Sequence, residues 1–188
     1  MTLSLRQDRD RVWTYQDYLS LPQDGKRYEI IDGVLYVSPS PLSIHQLLSK
    51  RLGYFLYHFE LEGQGYVYTA PLDVHMPGCT PVQPDVIFLT REQRGLIKER
   101  GIFGAPHLLV EILSPGTRSL DRVKKLNKYA AAGVHNYILV DPEASTLEWL
   151  QLDGDSYRFA QSLGEGDSWI FQGKSLPLSD LFAELPDA

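Results

Sequence analysis

Apolar residues Ile44, Leu47, Leu48, Leu52, Phe55, Leu56 and Phe59 recur at intervals of three and four, the spacing that gathers one face of an α-helix. The pattern predicts a long core-packing helix, with Ser40 as its cap and Pro41 at its first position, ending near Gly63. Before it, apolar runs at 28–31 and 34–37 flank Asp32-Gly33, a strong hairpin signal. A two-residue turn there sets Glu29 opposite Tyr36, a position that reads locally as solvent-facing. A short helix over 14–19 takes Thr14 as cap and Asp17 as its capping-box partner. After the long helix the rhythm changes. In a strand predicted over 66–76, Leu72, Val74 and Met76 alternate with Asp73 and His75. Another strand spans 82–89, with Pro84-Asp85 at its entrance, where proline is tolerated. The segment 91–100 reads as a short helix or loop, 108–113 as a strand, and 119–132 as a helix with Gly133 as its C-cap. A strand at 136–140 closes on Asp141-Pro142, and strands at 146–152 and 156–161 form a second hairpin with Trp149 and Tyr157 available for cross-strand packing. A strand at 168–171 and a helix at 179–184 complete the chain. The order implies one α/β (α+β) domain over 1–188: a mixed central sheet flanked by helices, with β-hairpin additions near both ends.

The run at 108–113 has the length and apolarity of a strand buried on both faces, yet it contains Glu111. A buried carboxylate needs a cation, a hydrogen-bonding partner or a proton. Asp85 stands where the preceding apolar strand begins, so adjacent strands bring two carboxylates together. Such a pair repels unless it shares a proton or a cation. A hard divalent ion such as Mg²⁺ takes a few carboxylate oxygens plus water and substrate phosphate. A glycosidase pair is the competing reading; it ranks lower because the aromatic residues sit mostly at core spacings.

Composition narrows the setting. The 188 residues suit one domain with a sizeable core. One cysteine, Cys79, allows no intramolecular disulfide, and neither a signal peptide nor a membrane span is evident, so the cytoplasm is the expected location. The net charge of -6 argues mildly against a nucleic-acid partner. Its distribution softens that, because nine of the 18 basic residues fall within 91–100 and 118–128. Among them Arg94, Lys98, Arg118 and Arg122 are candidates for contacting a phosphate backbone, against the alternative of solvated helix faces.

The helix over 119–132 offers a lysine. At ~100° per residue, with Asp121 at zero, Lys125 falls near ~40° and Tyr129 near ~80°. Leu126, Ala130 and Val123 span ~140–200° on the same count. Lys125 therefore borders the arc that faces the sheet, while Lys124 and Lys128 point to solvent. The plainer reading of Lys125 is a surface pair with Asp121.

Pro84-Asp85 followed by Glu111-Ile112-Leu113 looks like the PD-(D/E)xK pattern of restriction-endonuclease-like nucleases. The wider set is more specific: Tyr28-Glu-Ile-Ile-Asp-Gly33, His45-Gln46, Ala70-Pro-Leu-Asp-Val74, Gln83-Pro-Asp85, Gly104-Ala-Pro106, Val110-Glu-Ile-Leu-Ser-Pro115, Asp121 with Lys125-Leu126 and Tyr129, Ala132-Gly-Val134 and Val140-Asp-Pro142. In that order and spacing it closely resembles the Uma family of endonucleases, over about residues 14–188. The resemblance implies a restriction-endonuclease-like core, nucleic acid (DNA) as substrate, Mg²⁺ or Mn²⁺ as cofactor, and a homodimer. It implies Asp85, Glu111 and the Ile112 carbonyl as metal ligands, Lys125 and Glu29 as further catalytic residues, and Asp73, His45, Gln46 and Tyr129 as accessory ones. One departure matters: Leu113 occupies the lysine position of the superfamily pattern, so Lys125 has to replace it. A catalytically silent binding or accessory module on the same fold, and hydrolysis of another class of substrate, are the alternatives.

Overall fold

The Asp32-Gly33 turn forms as its sequence dictates, with φ of 53° and 71°, the two positive values that a tight hairpin turn of this hand requires. The computed structural model describes residues 11–186 apart from 23, 25, 39–40, 78–79, 115–117 and 119. In it α1 (Tyr15–Leu19), capped by Thr14 with Asp17 completing a capping box, precedes the hairpin β1 (Arg27–Ile31) and β2 (Val34–Ser38). Glu29 lies opposite Tyr36 as expected. The long helix α2 (Ser43–Leu61) begins later than its sequence suggested. Leu42 holds the N-cap position without a side-chain bond, and Ser40 lies outside the described residues. In chain order follow β3 (Gly65–Thr69), β4 (Val74–His75), β5 (Val86–Thr90), a 3₁₀ turn (Arg91–Leu96), β6 (Ile97–Lys98), β7 (Gly101–Phe103) and β8 (Leu108–Ile112). A π-helical stretch (Leu120–Lys125) then runs into α3 (Leu126–Ala132). The chain closes with β9 (Asn136–Asp141), β10 (Thr146–Asp153), β11 (Ser156–Leu163), β12 (Ser168–Phe171), β13 (Lys174–Pro177) and α4 (Leu178–Leu181).

The central sheet is mixed, in the order β11-β10-β9-β8-β5-β3. β8 and β9 run parallel while the other neighbours are antiparallel. A parallel pair needs a long crossover, and the π stretch with α3 supplies it. Strand β8 is buried on both faces, as its apolar run requires. Leu108, Val110 and Ile112 pack into the cluster beneath α2, and Leu109 and Leu113 into the cluster that contains Tyr129 of α3. Among the described residues no helix is long and apolar enough to cross a membrane.

The short helix or loop expected over 91–100 is a 3₁₀ helix, Arg91–Leu96, followed by β6. Three expectations change. The strand expected over 66–76 ends at Thr69, and β4 joins β6 and β7 in a separate small sheet, where Val74 packs beside Val82 and Ile102. The 146–161 hairpin extends the edge of the central sheet, while β12–β13 stand as a separate pair. Trp149 and Tyr157 do not meet across it. Tyr157 pairs with Leu152 and its ring lies against Tyr137, while Trp149 packs against Trp169 and Phe171.

Gly101 fixes how the small sheet meets the chain beside Asp73. Its φ is 140°, and a Cβ there would stand 2.4 Å from the Asp73 carbonyl oxygen. Gly101→Ala is expected to cost about 2 kcal/mol or more of stability. At Gly95 an added Cβ meets nothing within 4 Å, and Gly95→Ala should stay within roughly 0.5 kcal/mol of wild type. Urea melts of the two variants measure the contrast.

Candidate active site

Val86 pairs with Val110 across β5 and β8, which sets Asp85 and Glu111 side by side at the end of two adjacent strands. Both side chains are 2% exposed. Asp85 Oδ2 accepts from the Ile112 N–H at 2.7 Å, and His45 Nε2, in the first turn of α2, lies 3.1 Å from the same oxygen. Glu111 Oε1 accepts from Lys125 Nζ at 3.0 Å and from the Tyr129 hydroxyl at 2.7 Å. Lys125 is thus no surface residue. Its ammonium, 2% exposed, also stands 3.1 Å from Glu29 and 3.2 Å from Asp121. The Asp121–Lys125 contact exists, but as one edge of a buried cluster.

The N-terminal hairpin carries Glu29 into this cluster. Glu29 is buried, where its strand alone suggested exposure. Gln83 donates its backbone N–H to Glu29 Oε1 at 3.1 Å. Lys124 and Lys128, expected to face solvent, instead grip the hairpin: Lys124 Nζ lies 3.0 Å from the Tyr36 hydroxyl and Lys128 Nζ 3.0 Å from Asp32. The face that an isolated helix would give to water is covered by β1 and β2. The same strand brings Arg27, which sequence reasoning missed. Arg27 Nη1 donates to Asp85 Oδ1 at 2.8 Å, and Nη2 stands 3.8 Å from Glu111 Oε2. The signal was present, because residues two apart in a strand share a face, and a strand that turns Glu29 inward turns Arg27 the same way.

The remaining candidates separate. Tyr129 belongs to the cluster. Asp73 stands behind it, accepting from Tyr18 at 2.8 Å and from the Gln83 side chain at 2.9 Å. Gln46 lines a cleft of about 450 Å³ between α2 and β3. Arg118 engages Asp141 at 2.7 Å and Glu143 at 2.7 Å, and Arg122 engages Glu148 at 2.7 Å, so both guanidinium forks are committed within the chain. Arg94 lies over the Tyr66 ring, and Lys98 is exposed on β6.

Carboxylates outnumber cations here: Glu29, Asp85, Glu111 and Asp121 surround Lys125 and Arg27. Burial raises the Glu111 carboxyl to about 8, with Asp121, Asp85 and Glu29 adding to the rise and Lys125 opposing it. For Asp85, burial is outweighed by Arg27, His45 and the Ile112 N–H, which hold it below the usual range. In Glu29, too, burial is outweighed, by Lys125 and Arg27. Lys125 is raised: burial would lower it, but Glu111, Glu29 and Asp121 prevail. The donors are hard oxygens, the set that suits Mg²⁺ or Mn²⁺. Arg27 already rests between Asp85 and Glu111 as a stand-in cation. Among the described residues no three His, Cys, Asp or Glu side chains converge in ligand geometry. The acid pair with the Ile112 carbonyl would therefore share such an ion with water and phosphate, as Mg²⁺ commonly requires.

Two measurements probe the cluster. Below its unfolded value of 4.5 Glu111 is protonated in both states; between that and about 8 the folded protein holds the extra proton. Stability from this group is therefore full at low pH and is lost as pH rises through about 8. In EDTA, the melting temperature of wild type should fall more steeply from mildly acid to mildly alkaline pH than that of Glu111→Gln, which has no proton to lose. Removing Lys125 leaves buried carboxylates uncompensated, so Lys125→Ala should cost about 3–5 kcal/mol. Lys124→Ala should cost about 1 kcal/mol; chemical denaturation compares the two.

A search of curated proteins returned no match. Among solved structures, the chain is similar to a putative nuclease belonging to DUF820 from Anabaena variabilis ATCC 29413, with a TM-score of 0.77 and 19% identity over 92% of this chain and 99% of that one. That likeness shows a shared fold, and the mixed sheet flanked by helices is the core expected. Residues 15–178 match the model of a family described as a putative restriction endonuclease. The match takes in Asp85, Glu111, Lys125 and the hairpin that covers them, and the chain belongs to that family, Uma2.

Proposed function

We propose that this chain is a divalent-metal-dependent endonuclease that hydrolyses phosphodiester bonds of nucleic acid, DNA in preference to RNA. One observation carries the reading: Lys125 reaches Glu111 at 3.0 Å from the crossover helix, so a lysine joins the acid pair although Leu113 occupies the strand position of the superfamily pattern. The preference for DNA rests on the family description. Asp85, Glu111 and the Ile112 carbonyl are the ligands in this reading. A Mg²⁺ or Mn²⁺ held there would supply Lewis acidity toward the phosphate and would lower the pKa of water. Lys125 holds its proton, since its pKa is raised. It therefore serves as a fixed positive charge that stabilises negative charge developing on phosphoryl oxygens, and not as the base. Tyr129 and Glu29 hold Glu111 and Lys125 in place through hydrogen bonds and charge. Lys98 and Arg94 remain for the phosphate backbone. A homodimer would bring one such site to each strand of a duplex.

The second reading, an accessory module without turnover, draws support from the engaged forks of Arg118 and Arg122 and the net charge of -6. Supercoiled plasmid separates the two. At low salt, where a weak electrostatic hold on DNA is strongest, wild type with Mg²⁺ or Mn²⁺ should nick or linearise it, EDTA should stop the reaction, and Glu111→Gln prepared identically should lose at least ~100-fold in rate, since loss of a group that only supports a metal ligand already costs about 10–100-fold. Equal cleavage by both proteins, or none of DNA or RNA by wild type despite metal binding, rejects the nuclease reading.

A further inference from the structure

The two cations of the cluster are held very differently. Lys125 lies 3.0–3.2 Å from Glu111, Glu29 and Asp121 and is 2% exposed. Arg27 reaches in from the hairpin with 21% of its side chain exposed, so solvent is open to it on one side. Its Nη1 bonds Asp85, its Nη2 also donates to the Gln83 carbonyl, and its contact with Glu111 is long at 3.8 Å. Its Nε is buried without a hydrogen-bond partner. A guanidinium offers five donors in a rigid fork; here two bond protein acceptors, and the buried Nε–H does not, while the fork lies between two carboxyl groups. Charge neutralisation holds it there, not a complete set of bonds. The gap it fills is the one between Asp85 and Glu111, so an ion bridging the two side chains would meet the guanidinium there.

We propose that Arg27 is an internal competitor for the divalent ion: it neutralises Asp85 and fills the space between Asp85 and Glu111 in the metal-free protein and turns outward, toward its exposed side, when a metal binds there. The inference rests on the metal-dependent reading above. It assigns Arg27 a positioning and gating role. Without Arg27 the buried Asp85 carboxylate would lose its nearest cation in the apo protein. With it, every ion that binds first displaces a charge-assisted hydrogen bond, and its apparent affinity falls accordingly.

The sign of one measurement decides the matter. Metal-stripped wild type, Arg27→Gln and Glu111→Gln are titrated with Mn²⁺, and the EPR signal of the free ion is followed. Arg27→Gln should bind about tenfold more tightly than wild type, and Glu111→Gln at least about tenfold more weakly, each factor of ten being about 1.4 kcal/mol. Folded Arg27→Gln that binds Mn²⁺ equally or more weakly overturns the proposal while leaving the metal reading intact. No Mn²⁺ bound by wild type or by Arg27→Gln overturns the metal reading and the proposal together. Should Arg27→Gln not fold, ¹⁵N-arginine-labelled wild type answers instead, with the Arg27 Nε–H resonance identified by its loss in Arg27→Lys. That resonance should move on addition of Mg²⁺ with the midpoint that calorimetry gives for Mg²⁺ binding. A resonance unmoved at calorimetric saturation overturns the proposal.

Discussion

The ammonium of Lys125 is the group on which the rest of the site depends. Removed from water, it is stable only because Glu111, Glu29 and Asp121 lie within 3.0–3.2 Å. Those acidic groups and Asp85 are tolerated in the interior because Lys125 and Arg27 oppose their charge and Tyr129, His45 and the backbone N–H groups of Gln83 and Ile112 bond them. Each partner comes from a different element: β8, the N-terminal hairpin and the π stretch. Their mutual neutralisation therefore ties the elements together at one place, and the cost of separating any one of them is the cost of an unpaired buried charge.

The hairpin is consequently part of the site and not an ornament on the sheet. Among the described residues its strands pair with each other and with no third strand. Burial of Ile30 and Ile31 docks it, together with polar contacts that include Glu29 to Lys125, Tyr36 to Lys124 and Asp32 to Lys128 on the crossover helix. Asp121 and Lys125, four residues apart on the π-helical stretch Leu120–Lys125, lie on the inward side together.

Local rules visible in the chain determined much of this protein. The Asp32-Gly33 turn, the capping box at Thr14 and Asp17, the left-handed Gly133 at the end of α3 and the apolar face of α2 all follow from short-range sterics and periodicity, and all are present. The carboxylate in the apolar run at Glu111 was legible as an anomaly, and the strand order placed Asp85 beside it. Helical phase also pointed Lys125 toward the sheet.

Tertiary structure alone decided the rest, for one reason: burial is a property of what covers a residue, not of the residue's own element. Glu29 on an isolated hairpin, and Lys124 and Lys128 on an isolated helix, belong in water. Once hairpin and helix meet, the same residues become buried or paired. Arg118 and Arg122 look free along the chain until β9 and β10 bring Asp141 and Glu148 to them. Arg27 was legible only through Glu29, with which it shares a strand face; only the convergence of β1, β5 and β8 sets it between Asp85 and Glu111.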